Sequence, residues 1–412
     1  MERRDFLRRA TLATVGTAFM PGALAACMPP GGGGGGGSTT TTTTTPPVNG
    51  PFTAGSPYGA LGAPDANGIR LPAGFTSRVV AMSEQPVGTT DYAWHYSPDG
   101  GACIAVPWGN GDYVYVSNSE TYSAYGGGAS AITFAADGTI KSAYRILSGT
   151  QANCAGGATP WNTWLSGEEW DNGRVWECNP FGPGQGYARP ALGVCAHEGV
   201  AVDPTAKRLY LTEDRPDGRL YRFTPTTYPD LKSGLLEVAR VVGDPLAGAA
   251  VEWITVSDGT NGATRPRPAG SAAFNGGEGI AWHAGAVYFT TKGDNRVWKL
   301  DTAAQQIRVL YDDDLVANAP LTGVDNVTVS RAGEIVVAED GGDMELDVLT
   351  SDGVVGPLLQ VTGQSGSELT GPAFSPSGNR LYFSSQRARG SLSGIRGLGT
   401  TYEVSGPFRG AA

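Results

Sequence analysis

The segment His197-Glu-Gly-Val-Ala-Val-Asp-Pro-Thr-Ala-Lys-Arg-Leu-Tyr-Leu-Thr-Glu213 contains two short apolar stretches separated by turn residues. The first, Glu198–Val202, ends at Asp203-Pro204, a pair that favours a turn. The second, Arg208–Glu213, has a short apolar centre and ends in a small polar residue followed by an acid. This pattern predicts a β-hairpin.

Strands of the same kind recur along the chain and are centred near residues 116, 165, 211, 289, 337 and 383. Several are preceded by a partner strand that starts with an acid followed by Gly or Asn. Repeats of this length with several strands each are typical of β-propellers, so we predict an all-β, six-bladed β-propeller over residues 51–412 with a central metal site. A β-helix is the alternative, but its repeats are much shorter.

The composition excludes some functions. Of the 412 residues, 29 are Lys or Arg and 39 are Asp or Glu, which gives a net charge of −10. Because nucleic-acid binding requires clustered cations, we expect no nucleic-acid partner. With only three histidines in the sequence, a His-rich metal centre is not expected.

The N-terminus predicts export. Arg3-Arg4-Asp-Phe-Leu is similar to a twin-arginine signal, and Leu24-Ala-Ala-Cys27 is similar to a lipobox, which makes Cys27 the predicted lipidation site. We therefore predict a signal peptide at 1–26 and a Gly-, Thr- and Pro-rich tether at 27–50. The expected location is the periplasm or the cell surface, with a lipid anchor in the membrane; the alternative is a short transmembrane anchor.

Acids recur at equivalent positions of the predicted repeats. They stand at the starts of partner strands or at the ends of the strands that follow them, namely Glu198, Glu278, Asp325, Glu120, Glu169, Glu213 and Glu339. If several of them converge in the central funnel, either their pKa values rise or cations neutralise them. Hard cations with oxygen ligands fit best, Ca²⁺ first. The alternative is that these acids lie in turns or on solvent-exposed rims.

The segment Asn153-Cys-Ala-Gly-Gly-Ala-Thr-Pro-Trp-Asn-Thr-Trp-Leu-Ser-Gly-Glu-Glu169 resembles the most distinctive motif of PhoX-type alkaline phosphatases. Similar segments follow in the same order over roughly residues 65–407, among them His197–Pro204 and Glu278–Ile280. The resemblance implies an exported phosphomonoesterase that acts on small phosphate esters with a centre of Fe³⁺ and Ca²⁺. It also implies that Cys154 binds iron and that Glu169, Glu198, Glu278 and Asp325 are carboxylate ligands.

Two positions depart from the pattern of that family. Ser119 stands where the family usually has His, and Gly276 stands where it usually has an arginine suited to holding phosphate. We expect Arg215 and Asn118 to contact the phosphate instead.

These departures leave a second function open, a non-catalytic propeller that is stabilised by metal and binds a ligand or protein at the cell surface. A lactonase-like propeller is a third. We expect a monomer. Pairing among Cys103, Cys178 and Cys195 also stays open, with Cys178–Cys195 as one possible disulfide.

Overall fold

The computed structural model describes residues 52–257, 268–393 and 396–411, all within the compact unit Pro47–Ala412. The predicted signal peptide at 1–26, the tether at 27–50 and Cys27 lie outside the described residues. Within those ranges, no helix has the length and apolar character needed to cross a bilayer. The helices in them are single 3-10 turns: Ser123–Tyr125, Pro190–Leu192, Lys292–Asp294 and Asp313–Leu315.

Short antiparallel strands make up nearly all of the regular structure. Three come first, β1 Thr53–Ala54, β2 Ile69–Arg70 and β3 Thr76–Met82. Run 1 then comprises β4 Pro98–Ala105, β5 Tyr113–Ser119, β6 Gly128–Phe134 and β7 Ile140–Ser148. Run 2 comprises β8 Asn153–Ala158, β9 Trp164–Glu168, β10 Val175–Cys178 and β11 Tyr187–Ala188. Run 3 comprises β12 His197–Asp203, β13 Arg208–Glu213, β14 Leu220–Thr227 and β15 Asp230–Val242, and β16 Ala249–Thr255 follows it.

The second half of the chain repeats this arrangement. Run 4 comprises β17 Gly277–His283, β18 Ala286–Thr291, β19 Arg296–Asp301 and β20 Gln306–Asp312. Run 5 comprises β21 Val324–Val329, β22 Ile335–Glu339, β23 Glu345–Leu349 and β24 Val354–Val361. Run 6 comprises β25 Leu369–Phe374, β26 Arg380–Ser385 and β27 Thr400–Ser405, and β3 pairs with β27 as its fourth strand.

Hydrogen bonding joins these strands into five sheets. Strand β16 pairs with β15 on one side and with β20 on the other, so runs 3 and 4 form one nine-stranded sheet. Strands β1 and β2 extend run 5 through β24. The predicted all-β, propeller-like fold is confirmed, but the described sheets are not six separate ones because β16 bridges two runs.

The first strands of the runs lie together at the centre. β4 contacts β8, and contacts continue in order through β12, β17, β21 and β25 back to β4. Six apolar clusters fill the spaces between neighbouring runs. Val116 of run 1 and Trp164 of run 2, for example, are buried in the same cluster. Burial of these apolar side chains stabilises the fold, and the first strands are left to line the centre.

Glycine lets neighbouring first strands approach closely. A Cβ added to Gly199 of β12 would lie 2.9 Å from the Ile280 nitrogen of β17. One added to Gly279 of β17 would lie 2.5 Å from the Val327 nitrogen of β21. Both distances are shorter than real Cβ contacts, so the Gly that follows each acid is required by packing.

Candidate metal centre

Every first strand carries a β-bulge at its start. In β12, His197 is opposite Glu213 and Val200 is opposite Leu211, so two residues on β12 face one on β13. The same shift occurs in β4, β8, β17, β21 and β25. Bulges turn side chains away from the regular alternation and are common beside active sites. The first bulge residues form what we call the bulge ring: Asp99, Cys154, Glu198, Glu278, Asp325 and Gly371.

A further set of central residues directly follows the second strand of each run. Each of these strands ends one residue before a position that reaches the centre. We call these six residues the strand-end ring: Glu120, Glu169, Asp214, Lys292, Asp340 and Gln386. Gln386 Nε2 donates to Asp99 Oδ2 at 2.5 Å and to Glu120 Oε2 at 2.7 Å, so the two rings are in direct contact.

Seven of these residues form three groups of potential metal ligands. Within each group the ligand atoms lie within 4.8 Å of one another, and neighbouring groups share Cys154 or Glu198. We call them the linked groups: Asp99–Glu120–Cys154, Cys154–Glu169–Glu198 and Glu198–Asp214–Glu278. The structure therefore brings together Cys154 and four of the predicted carboxylates, from four different runs.

A separate group comprises Asp325, Asp340 and Glu368, whose ligand atoms also lie within 4.8 Å of one another. Lys292 Nζ is 3.2 Å from Asp325 Oδ2 and contacts Asp340 Oδ2. Arg387 Nη1 is 3.0 Å from Glu368 Oε1. We call this the lysine-paired group, because Lys292 lies between two of its three carboxylates.

The surroundings of Glu278, a carboxylate of the linked groups, disfavour its charged form. It is fully buried, and among the described residues neither of its side-chain oxygens has a hydrogen-bond partner. Burial raises the pKa of Glu278 well above its usual range, and nearby Asp214 and Asp325 raise it further. A buried, unpartnered carboxylate is costly, and a bound cation would remove that cost.

The donor set of the linked groups fits hard cations together with iron. It consists of carboxylate oxygens and the buried Sγ of Cys154. Carboxylates suit Ca²⁺, and a thiolate is a ligand for iron. No disulfide joins the four cysteines of the described residues, so the possible Cys178–Cys195 bridge is not formed in this structure.

Two predicted carboxylate ligands, Glu213 and Glu339, lie outside the ligand groups found among the described residues. Glu213 Oε2 accepts from the Arg219 amide and the Tyr221 hydroxyl, each at 3.1 Å. Glu339 accepts from the amides of Thr322 at 3.0 Å and Glu345 at 3.1 Å. Each is followed by an acid that does belong to such a group, because successive residues of a strand point in opposite directions. Those following acids, Asp214 and Asp340, were missed.

Asn118, a predicted phosphate contact, is buried and forms hydrogen bonds with run 2. Its Nδ2 donates to the carbonyls of Cys154 at 3.0 Å and Ala155 at 2.8 Å. Its Oδ1 accepts from Trp164 Nε1 at 2.9 Å and Ser166 Oγ at 2.8 Å. These hydrogen bonds join the buried amide of Asn118 to the backbone of Cys154 and Ala155 on β8.

Arg215 follows the strand-end residue Asp214. Its Nη2 pairs with Asp171 at 2.8 Å, and its Nη1 donates to the Asp214 carbonyl at 2.7 Å. Burial acts to lower the pKa of this guanidinium, but Asp171 and Glu169 outweigh that effect and raise it. The Gly276 amide donates to the Arg215 carbonyl at 2.8 Å, so Arg215 lies beside the position where the resemblance expects an arginine.

Comparison with known proteins identifies the family. The model of the family described as alkaline phosphatase PhoX matches residues 98–309, more than half of the chain. The chain belongs to the PhoX family. The match covers the bulge and strand-end residues of runs 1 to 4. Membership of this family makes the chain a phosphatase-like hydrolase. No curated protein matches the chain.

One solved structure supports the propeller-like fold. Pseudomonas fluorescens PhoX, solved in complex with vanadate, a transition state analogue, is 17% identical with a TM-score of 0.67; the match covers 84% of this chain and 97% of that one. A gluconolactonase from Xanthomonas campestris is 14% identical with a TM-score of 0.44, covering 85% and 98% of the two chains. This second likeness is too distant to support a lactonase function.

Proposed function

We propose that this chain is a metal-dependent phosphomonoesterase whose centre lies in the linked groups. The observation that carries the proposal is Glu278, a fully buried carboxylate whose oxygens have no partner among the described residues, beside Glu198 and Asp214. A cation bound there would stabilise Glu278 and would attract a phosphate ester to an acidic protein.

We further propose Fe³⁺ near Cys154 and Ca²⁺ among the carboxylates. Cys154 with Glu169 and Glu198 offers one sulfur and two carboxylates within 4.8 Å, which favours iron. Glu198, Asp214 and Glu278 offer only oxygen, which favours calcium. When bound, such cations stabilise the negative charge that develops on the phosphoryl oxygens.

Arg215 is the proposed phosphate-binding side chain. It lies between the strand-end ring and Gly276, and a planar guanidinium can contact two phosphate oxygens at once. Its partner Asp171 is exposed, so exchanging that ion pair for a phosphate contact costs little.

The architecture and location extend this proposal. We count the nine-stranded sheet as two blades bridged by β16, which gives a six-bladed propeller. We also propose a monomer that is exported by the twin-arginine pathway and attached to a membrane by a lipid on Cys27. Recovery of acylated Cys27 as the mature N-terminus, by mass spectrometry, tests the anchor.

The function is tested by elemental analysis and a p-nitrophenyl phosphate assay on protein purified without chelators. We expect iron and calcium together with hydrolysis, and a loss on the order of 100-fold in kcat for Glu278→Gln. Glu252→Gln, at a more exposed carboxylate of β16, is the matched control and retains activity. Metal without hydrolysis would favour the non-catalytic binding propeller, and absence of metal would reject the proposed centre.

A further inference from the structure

The strand-end ring has one member of opposite charge. Four of its positions are carboxylates, at Glu120, Glu169, Asp214 and Asp340, and Gln386 is an amide. Run 4 supplies Lys292 at the equivalent position, directly after β18. The repeat therefore places an ammonium group where other runs place a potential metal ligand.

The backbone holds Lys292 in the same register as the acids. Its amide donates to the Gly276 carbonyl at 2.8 Å, and the preceding Thr291 is opposite Gly277 across the β17–β18 pair. From there its Nζ reaches Asp325 of the bulge ring and Asp340 of the strand-end ring, both in run 5. The lysine side chain is only 16% exposed, so these contacts are shielded from water.

Asp325 and Asp340 already lie against cationic side chains of the protein, as they would lie against a bound metal ion. Asp325 Oδ1 accepts from Asn326 Nδ2 at 2.7 Å, and its Oδ2 faces Lys292. Asp340 Oδ2 contacts Lys292, and its Oδ1 is 4.0 Å from Arg387. A buried charge needs a counter-charge, and Lys292 supplies one on the chain itself.

We propose that the ammonium group of Lys292 takes the place of a divalent cation in the lysine-paired group, so that metal ions bind at the linked groups and not at Asp325 and Asp340. This inference rests on the proposed metal centre for the location of the metals. It changes the role of Asp325 from a metal ligand to the counter-ion of Lys292.

The experiment counts bound calcium per chain after equilibrium dialysis of wild-type protein and variants against Ca²⁺. We expect Lys292→Met to bind one more calcium ion than the wild type, because it leaves Asp325, Asp340 and Glu368 without the ammonium. Lys299→Met, on β19 of the same run, is the matched control and leaves the count unchanged. An equal count for Lys292→Met and wild type would overturn the inference.

A second variant keeps the test decisive if Lys292→Met does not fold. Asp340→Asn in the wild-type background removes a carboxylate that we assign to Lys292, so the calcium count stays at the wild-type value. Loss of one ion from Asp340→Asn would show that Asp340 is a metal ligand and would overturn the inference. A wild-type count of zero would reject the proposed metal centre alone, because the difference between Lys292→Met and wild type is read independently of it.

Discussion

Glu278 and Asp325 occupy the same position in neighbouring runs but have opposite surroundings. Both are the first bulge residue of a first strand, on β17 and β21, and both are almost completely buried. Asp325 has a partner for each oxygen, Asn326 and Lys292. Glu278 has none for either oxygen among the described residues. The same backbone feature therefore produces one carboxylate that is paired with a lysine of the protein and one whose oxygens have no hydrogen-bond partner among the described residues.

The difference arises from one side chain of run 4. Lys292 extends toward run 5 and pairs with its two aspartates, while the nearest acids to Glu278 are Asp214, Asp325 and Glu198, which repel its charge. Lys292 also acts to lower the pKa of Glu278, but burial and the three acids dominate. A repeated backbone therefore does not imply a repeated electrostatic function, because the strand-end residue decides which carboxylates are neutralised.

Neutral isosteres at the two positions are expected to change stability in opposite directions. In metal-free protein, Asp325→Asn removes one of the two counter-ions of Lys292 and lowers the free energy of unfolding, toward the lower end of about 3–5 kcal/mol because Asp340 remains as the second counter-ion. Glu278→Gln removes a buried carboxylate whose oxygens have no hydrogen-bond partner in the described part of the chain, and we expect it to raise the free energy of unfolding by about 1–3 kcal/mol. Urea unfolding in the presence of a chelator measures both.

Added calcium is expected to reverse the sign of the stability change for Glu278→Gln but not for Asp325→Asn. Ligand binding to the folded state stabilises wild-type protein by about 3–4 kcal/mol at a calcium concentration 100 to 1,000 times the Kd. Glu278→Gln loses much of this gain, so it is less stable than wild type with calcium and more stable without it. If both variants destabilise the metal-free protein equally, Glu278 is not the unsatisfied member of the pair.

The repeat and its recurring acids could be predicted from the sequence because they depend on local pattern, whereas Cys154 was expected only from the resemblance to the PhoX family. Strand periodicity predicted the hairpins, and recurrence of an acid before Gly predicted the bulge-ring residues Glu198 and Glu278. The bridge made by β16 could not be predicted in this way, because it depends on the pairing of β16 with β20, far along the chain. The predicted ligands Glu213 and Glu339 came from ending the hairpin pattern at the last strand residue, and they lie outside the ligand groups found among the described residues.

A signal for the acids that follow the strand ends was nevertheless present. Three second strands end in paired acids, Glu168-Glu169, Glu213-Asp214 and Glu339-Asp340, and in each pair the first acid accepts loop amides while the second faces the centre. Strand alternation requires the two side chains to diverge. The Lys292 contacts were not predictable, since they depend on how far a side chain of run 4 reaches into run 5.

The neighbouring acids Glu213 and Asp214 are expected to differ in role: Glu213 stabilises the fold and Asp214 binds metal. Glu213→Gln weakens two hydrogen bonds to a charged acceptor and is expected to lower the free energy of unfolding by about 1.5–3 kcal/mol, with the calcium count unchanged. Asp214→Asn is expected to reduce the calcium count with a much smaller effect on metal-free stability. Urea unfolding and equilibrium dialysis of both variants measure these effects; a reduced calcium count for Glu213→Gln would place Glu213 in the metal centre.

Asp347 tests whether unpartnered oxygens alone are enough to require a metal. It lies on β23, is fully buried, and has no partner for either oxygen among the described residues, but it belongs to no ligand group found there. Burial raises its pKa well above the usual range, and Glu339 and Glu345 raise it further. Because the folded state holds the proton more tightly than the unfolded state, stability falls as pH rises from the ordinary pKa toward the folded one.

Asp347→Asn cannot ionise and escapes that fall, so we expect a gain of about 1 kcal/mol that is larger at pH 8 than at pH 5. The gain has the same size with and without calcium, unlike the effect of Glu278→Gln, because a single buried carboxylate outside a ligand group offers no site for a cation. Thermal unfolding at both pH values, each with calcium or chelator, measures it. A gain that disappeared when calcium was added would mean that Asp347 also binds a cation, and the contrast between Glu278 and its neighbours would then extend beyond the central rings.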